Sequence, residues 1–515
     1  MFSTGERRNS ADGKSDGASP LSLPPPPKFI QDLQNQLPSL PLPGPFANLV
    51  PSSGDDASGQ HQDRLTLAWA ISDGINNKRW EERWSALQRP DKPRVLILMS
   101  ETGGGHKASA QSIGEALEAI APGQLQVSIV DVFVDHTGFP FNRFPKMYQW
   151  FSSKPTVWDA VYKTSKYTSD SILGWEEPLA LAWDSDFQKC IEQENPDIIV
   201  SVHPLCQDPV ARVVRRVGKW KAGRKVPFVT CITDLGEGHP FWFHVDVDRC
   251  YVPGEAVRSD GLRHGLREDQ MAMKGLPIRK GFWEVDTSDA NVARLRGELG
   301  LKACRTVLVV GGGDGMGGLL SVAQHVGKAI ASETEERQMV VVCGKNVEVR
   351  AKLEKGPWHP NLRAKVVGFV NNMHEWMLAS DVIVTKAGPG TIAEATVCGL
   401  PIMLSGFLAG QEEANVTYVV DGHMGEFRPD PKELGARVCA WLEDPPLLAM
   451  MAANSKRAGR PSASLDIATS ILDVMTTHGR PGSPGLNLPI SPPKSEGGGS
   501  PEAAAAGGSP PAAAA

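Results

Sequence analysis

Arg94-Val-Leu-Ile-Leu-Met-Ser-Glu-Thr-Gly-Gly-Gly-His106 runs from an apolar, strand-like stretch into three glycines and a histidine, and an alanine-rich helical pattern follows from Lys107 to Ala119. Thr306-Val-Leu-Val-Val-Gly-Gly-Gly-Asp-Gly315 repeats the arrangement in the second half of the chain and leads into a helix-like segment from Leu319 to Ala331. A short buried strand, a turn without β-carbons and a helix start together aim backbone N–H groups and the positive end of a helix at an anionic or polar ligand. The first turn ends in a histidine and suits proton chemistry; the second ends in glycines and suits a diphosphate. Two nucleotide-fold domains facing one cleft are the expected architecture.

The intervening residues extend this pattern. Val127–Phe133, Asp197–Val202 and Pro227–Thr233 are short Val/Ile-rich runs with helical stretches between them, and Met339–Cys343, Ala364–Phe369, Asp381–Thr385 and Pro401–Leu404 follow in the second half. Continuous apolar runs alternating with helices mark parallel strands covered on both faces. The fold class is therefore α/β, with two Rossmann-like doubly wound domains, residues 92–290 and 291–479, and with the last helical residues to about 475 placed to return across the first domain. Residues 1–62, rich in Pro, Ser, Gly and Asp, read as a disordered or targeting segment, 63–91 as a helical lead-in and 480–515 as a low-complexity disordered tail. Arg7, Arg8 and the serines suit an organelle transit peptide, whereas Glu6, Asp12 and Asp16 do not.

At 515 residues the chain can bury two or three cores. Its net charge of −6 argues against a general nucleic-acid binder. No apolar run reaches the roughly 18–20 residues that cross a bilayer. Cys190, Cys206, Cys231, Cys250, Cys304, Cys343, Cys398 and Cys439 form no CxxC pair and read as reduced core thiols of an intracellular protein.

His106 is the candidate catalytic group. A histidine near a helix start commonly only caps the helix or fills the core, but Gly104 and Gly105 leave room for a substrate beside this one. A neutral imidazole can take a proton from a hydroxyl near neutral pH, and a helix N-terminus helps to keep it neutral. Asp131, Asp135 and Asp234 each lie at or beyond a neighbouring strand end and could orient it; the sequence does not choose among them. In the second half, Thr385-Lys-Ala-Gly-Pro-Gly-Thr-Ile-Ala-Glu-Ala395 is a further glycine turn and helix start, with Gly390 and Thr391 in its first turn and Glu394 placed to accept two hydrogen bonds from a ribose diol. Gly410-Gln-Glu-Glu-Ala-Asn415 supplies amide and carboxylate groups suited to sugar hydroxyls.

The order of motifs is specific. Ser100–Ser109, Ser201-Val-His-Pro204, Ile232-Thr-Asp-Leu235 with His239-Pro-Phe-Trp-Phe243, Gly275-Leu-Pro-Ile-Arg279, Gly311–Met316, Gly368-Phe-Val-Asn-Asn-Met373, Lys386–Ala395 and Gly410–Asn415 follow one another along residues 92–475. This sequence resembles the monogalactosyldiacylglycerol synthases of plant and algal chloroplasts, in glycosyltransferase family 28, and more distantly the bacterial transferase that adds N-acetylglucosamine to the lipid-linked peptidoglycan precursor. The resemblance implies a GT-B fold and inverting transfer of galactose from UDP-galactose to diacylglycerol. It assigns His106 as base, Phe369 and Val370 as backbone contacts to uracil, Gly312 and Gly313 as the diphosphate turn, Glu394 as ribose ligand and Gln411, Glu412 and Asn415 as galactose contacts. It implies no metal, because helix N-termini and glycine N–H groups can stabilise the departing UDP, and the donor half carries no clear Asp-x-Asp motif.

The acceptor implied by the resemblance lies in a membrane, so the enzyme must dock. Val210–Lys225 reads as a helix with Arg212, Arg215, Arg216 and Lys219 along one side, either a solvated cover for the sheet or a contact to anionic lipid such as phosphatidylglycerol or phosphatidic acid. Pro140 and Trp242, in aromatic loop segments, match membrane or anionic-lipid contacts of the family; buried loop aromatics are the equal alternative. A chloroplast envelope location, peripheral attachment and a homodimer are further implications. The alternatives are a UDP-glucose or UDP-N-acetylglucosamine lipid glycosyltransferase, a UDP-sugar epimerase on the same fold, and a non-catalytic nucleotide-sugar-binding subunit, against which His106 counts.

Overall fold

The computed structural model describes residues 92–102, 104–168, 176–220, 226–311, 318–333 and 335–478. The segments expected at 1–62, 63–91 and 480–515 lie outside the described residues. The first sheet holds β1 (Arg94–Met99), β2 (Gln126–Asp131), β3 (Ile198–Ser201), β4 (Phe228–Cys231), β5 (Arg249–Val252) and β6 (Met271–Met273), in the order β2-β1-β3-β4-β5-β6. The second holds β7 (Thr306–Val310), β8 (Arg337–Val342), β9 (Leu362–Val367), β10 (Val382–Lys386), β11 (Ile402–Gly406) and β12 (Gly425–Phe427), in the order β12-β11-β10-β7-β8-β9. Every pairing is parallel. Strand order therefore reverses between β1 and β3 in one sheet and between β7 and β10 in the other, and ligands of doubly wound sheets bind outside the carboxyl ends at such switch points.

Helices cover both faces, which is why β3, β4, β7 and β8 are buried along their whole length without polar alternation. Ile113, Ala116 and Leu117 of the helix Gly104–Ile120 fill one face of the first sheet, and Trp183, Phe187, Val210 and Val213 fill the other. The final helix, Ala463–His478, packs on Gly104–Ile120 of the first domain. Its Ser464 hydroxyl accepts from the Ile278 N–H at 2.9 Å and donates to the Ile278 carbonyl at 2.8 Å. Gly275 makes this crossing possible: its φ is +87°, and a β-carbon there would meet Arg460 Cβ at 2.9 Å. Residues 463–478 are thus sequentially in the second half but spatially part of the first.

Between β2 and β3 two helices, Phe144–Ser152 and Pro155–Thr168, form an insert beyond the sheet. All eight cysteines are free thiols. Among the described residues no helix is long and apolar enough to cross a membrane.

Candidate active site

Adjacent strands β1, β3 and β4 end side by side, and their exit loops assemble the histidine site. The loop after β1 enters the helix Gly104–Ile120, putting His106 in its first turn. The loop after β3 presents the Val202 carbonyl, and the loop after β4 presents Thr233. His106 Nδ1 lies 2.7 Å from Val202 O and 3.1 Å from Thr233 Oγ1. A carbonyl oxygen can only accept, so Nδ1 carries the proton and Nε2 keeps a bare lone pair. A β-carbon on Gly104 or Gly105 would meet nothing within 4 Å, so the approach along the helix start is open.

Burial holds His106 far below the ordinary imidazole value, at about 4, against a smaller opposing effect of the Val202 hydrogen bond. The ring is therefore neutral throughout the physiological range. His203 packs edge-on to it at a centroid distance of 4.8 Å, and burial also lowers its pKa. His203 Nδ1 accepts from the Leu205 N–H, leaving Nε2–H to donate to Thr102 Oγ1 at 3.1 Å.

None of the three candidate aspartates orients His106. Asp131 accepts from the Glu101 and Val134 N–H groups, capping the helix Val132–His136. Asp135 is exposed on that helix. Asp234 accepts the Trp242 indole N–H at 2.6 Å, and burial pushes it up to about 6. A backbone carbonyl takes the role expected of a carboxylate, which explains why no side-chain motif announced it.

The residues expected on the donor side lie at the carboxyl ends of the strands of the second sheet. Phe369 is exposed and Val370 half-buried just beyond β9, while Gly390 and Thr391 sit in the first turn of the helix Pro389–Cys398. Gly312 and Gly313 lie outside the described residues. Glu394 is buried one turn further in, where Arg279 donates to both of its oxygens, Nε to Oε1 at 2.6 Å and Nη2 to Oε2 at 2.5 Å. Glu412 is buried too, with Lys386 Nζ at 2.5 Å from Oε1 and the Leu408 N–H donating to Oε2 at 2.8 Å.

The two halves meet at these residues. Tyr148 of the insert donates its hydroxyl hydrogen to Gln411 Oε1 at 3.0 Å. Asn415 Oδ1 accepts from the Gly236 N–H at 2.8 Å, and its amide donates to the Ala387 carbonyl at 2.9 Å. Sequence reasoning missed Val202, Thr233, Tyr148, Arg279 and Lys386; all but Tyr148 stand inside quoted motifs, but nothing local gave them partners. A separate cavity of about 1000 Å³, lined among others by Gly236, Asp260, Arg263, Tyr418 and Arg457, includes neither His106 nor Glu394.

The expected membrane contacts need correction. Arg212 and Arg216 are buried, both paired with Asp184 at 2.9 Å, so they tie the helix Gln207–Trp220 to its neighbour and do not form a solvated basic face. Arg215 is partly exposed and paired with Asp246. The side chain of Lys219 lies outside the described residues. Trp242 is buried beside His106, at a ring-centroid distance of 6.0 Å, so it cannot insert into a bilayer in this conformation. Pro140 is half-buried, but its neighbour Phe139 is exposed.

Two doubly wound domains, with a buried neutral histidine at the switch point of the first and a glycine-bearing helix start at that of the second, have the two-domain α/β architecture of GT-B glycosyltransferases. The family model described as monogalactosyldiacylglycerol (MGDG) synthase matches residues 106–278, and that of the glycosyltransferase family 28 C-terminal domain matches 306–460. Monogalactosyldiacylglycerol synthase 1, chloroplastic, of Arabidopsis thaliana is 39% identical over 385 residues, covering 73% of this chain and 70% of its own. The chloroplastic monogalactosyldiacylglycerol synthase of Spinacia oleracea is 37% identical over 427 residues, covering 79% and 80%. Among solved structures, Acinetobacter baumannii MurG aligns with 74% of this chain and 100% of its own at 15% identity and a TM-score of 0.49. The chain belongs to the monogalactosyldiacylglycerol synthase family.

Proposed function

We propose that this enzyme transfers galactose from UDP-α-D-galactose to the free hydroxyl of 1,2-diacylglycerol, releasing UDP and β-linked monogalactosyldiacylglycerol. The observation that carries the reading is the His106 tautomer: the Val202 carbonyl fixes the proton on Nδ1, and Nε2 is left to act as base beside two glycines. In a single displacement Nε2 takes the acceptor proton as the glycerol oxygen attacks the anomeric carbon, and the bond to the UDP oxygen breaks on the opposite face. Glu394 accepts from the ribose hydroxyls once Arg279 is displaced, Phe369 and Val370 offer backbone groups to uracil, and Gln411, Glu412 and Asn415 hold the sugar.

The reaction on this reading needs no metal. The N-terminus of the helix Pro389–Cys398, where Gly390 and Thr391 present N–H groups, stabilises the diphosphate as charge develops on it, with Gly312 and Gly313 as the further diphosphate contacts.

Docking falls to the lip between residues 134 and 146. Val134 and Phe139 are exposed there, and Arg143 and Lys146 are exposed beside them. Apolar side chains flanked by cations suit an interface carrying phosphatidylglycerol or phosphatidic acid. The relatives are named chloroplastic; peripheral attachment to the chloroplast envelope is the corresponding location, and a homodimer is compatible with it. A glucosyl- or N-acetylglucosaminyltransferase would share every feature except the sugar contacts, and an epimerase would need no lipid-facing lip. Incubation with diacylglycerol vesicles and labelled UDP-galactose or UDP-glucose in turn, followed by lipid separation, tests the reading. Label should enter a galactolipid; label entering lipid only from UDP-glucose would overturn it.

A further inference from the structure

Of the three sugar contacts on the second domain, Gln411 and Asn415 take a hydrogen-bond partner from the first. The Gln411 amide is the one whose orientation needs setting, since its two ends are nearly isosteric but opposite in chemistry: an acceptor oxygen and a donor NH₂. We propose that Tyr148 determines donor-sugar specificity as a positioning residue, by fixing which end of the Gln411 amide faces the sugar. The inference rests on the galactosyltransferase reading above and deepens it.

The Tyr148 hydroxyl meets Oε1 at 3.0 Å. Burial and the nearby Glu412 and Asp234 carboxylates push the phenol pKa up, so it stays protonated and able to donate. With Oε1 committed to that donor, Nε2 is the end left for ligand. Glu412, the next residue, is acceptor-only and held on both oxygens by Lys386 and the Leu408 N–H. A sugar hydroxyl that accepts from the amide and donates to the carboxylate matches this pair, whereas one pointing the other way leaves buried polar groups unpaired. Sites built around a hydroxyl discriminate strongly for that reason.

The arrangement depends on the insert. Trp158 packs edge-on to the Tyr148 ring at 5.0 Å. Gly410, at φ +74°, lets the sugar loop close on Tyr162, since a β-carbon there would lie 2.9 Å from Tyr162 Cδ1. Specificity is thus assembled only when the insert meets the second domain.

The test uses the full chain on diacylglycerol and phosphatidylglycerol vesicles, with Y148F, Q411A and the double variant. Y148F keeps the ring and removes only the donor. Its ratio of kcat/KM for UDP-galactose over UDP-glucose should fall about 3- to 10-fold, the loss of one neutral hydrogen bond, while the KM for diacylglycerol stays unchanged. In the Q411A background the same change should have no further effect on the ratio, because the two residues act as one unit. An unchanged ratio in Y148F, a change confined to the acceptor KM, or full additivity with Q411A would overturn the proposal. A wild-type preference for UDP-glucose would overturn the galactose reading alone; the Tyr148 claim would still be decided by whether Y148F erodes that preference.

Discussion

Arg279 and Glu394 are joined by a two-pronged ion pair that crosses from the first domain to the second, with both carboxylate oxygens engaged at 2.5–2.6 Å. On the proposed reading a ribose diol takes the same two oxygens, and donor binding then displaces the guanidinium. Glu394→Ala should raise the donor KM about 10- to 100-fold, the equivalent of losing roughly 1.5–3 kcal/mol from a charged acceptor. Steady-state kinetics at saturating diacylglycerol check this, and an unchanged donor KM in a folded variant would remove Glu394 from the site.

Gly236 tests the contact between the halves. A β-carbon there would lie 2.2 Å from the Ala414 carbonyl and 2.8 Å from the Asn415 N–H, both backbone atoms that cannot rotate aside. Gly236→Ala should push the segment at Ala414 and Asn415 away at a cost of roughly 1–3 kcal/mol, lowering turnover while the circular dichroism spectrum stays that of the parent. Parental turnover would mean that catalysis does not use this closed arrangement.

Vesicle binding separates the two surfaces considered for docking. Arg212→Gln strips Asp184 and Asp208 of a buried partner, and breaking such a pair costs about 3–5 kcal/mol; its Tm should fall, whereas Arg215→Gln, in a half-exposed pair with Asp246, should change stability by no more than about 1 kcal/mol. Phe139→Glu should weaken sedimentation with phosphatidylglycerol vesicles about tenfold or more, from an apolar contribution of roughly 1.5–3 kcal/mol, with UDP binding unchanged. Equal sedimentation of Phe139→Glu and the parent would place docking elsewhere.

Stability should fall on acidification. His106 and His239 are held at about 4 and about 3 by burial, and His203 is lowered as well, against an ordinary value near 6.5. Between about 6.5 and 4 the unfolded chain binds these protons and the folded one does not, so unfolding gains with each step down in pH. Asp234, raised to about 6, and Asp131 and Asp184, also raised by burial, oppose this because the folded state protonates them first, but the three histidines charge in the unfolded chain from about pH 6.5 downward, before any of these carboxyls is protonated. Calorimetry from pH 7 to 4.5 should show a falling Tm; a rising one would contradict neutral burial of the histidines.

The strands and their glycine turns were legible because parallel strands buried on both faces are written as unbroken Val/Ile/Leu runs, as in Thr306–Val310, and because a glycine turn before a helix is local. The positions of His106 and Glu394 in the helices that follow those turns were legible for the same reason. Their partners were not. Val202 orients His106 through a carbonyl that any residue could supply, and Tyr148 reaches Gln411 across 263 positions of chain. The helix Gln207–Trp220 misled because its arginines sit at helical spacing that fits solvent equally well; Asp184, on another helix, decides otherwise.

The central claim is that His106 Nε2 takes the acceptor proton. His106→Ala, assayed for turnover on diacylglycerol vesicles alongside calorimetric UDP binding, tests it most directly. Turnover should fall on the order of 10²–10⁴-fold, the usual contribution of a positioned base, with UDP affinity retained; turnover close to the parent's in a variant that binds UDP normally would contradict the account.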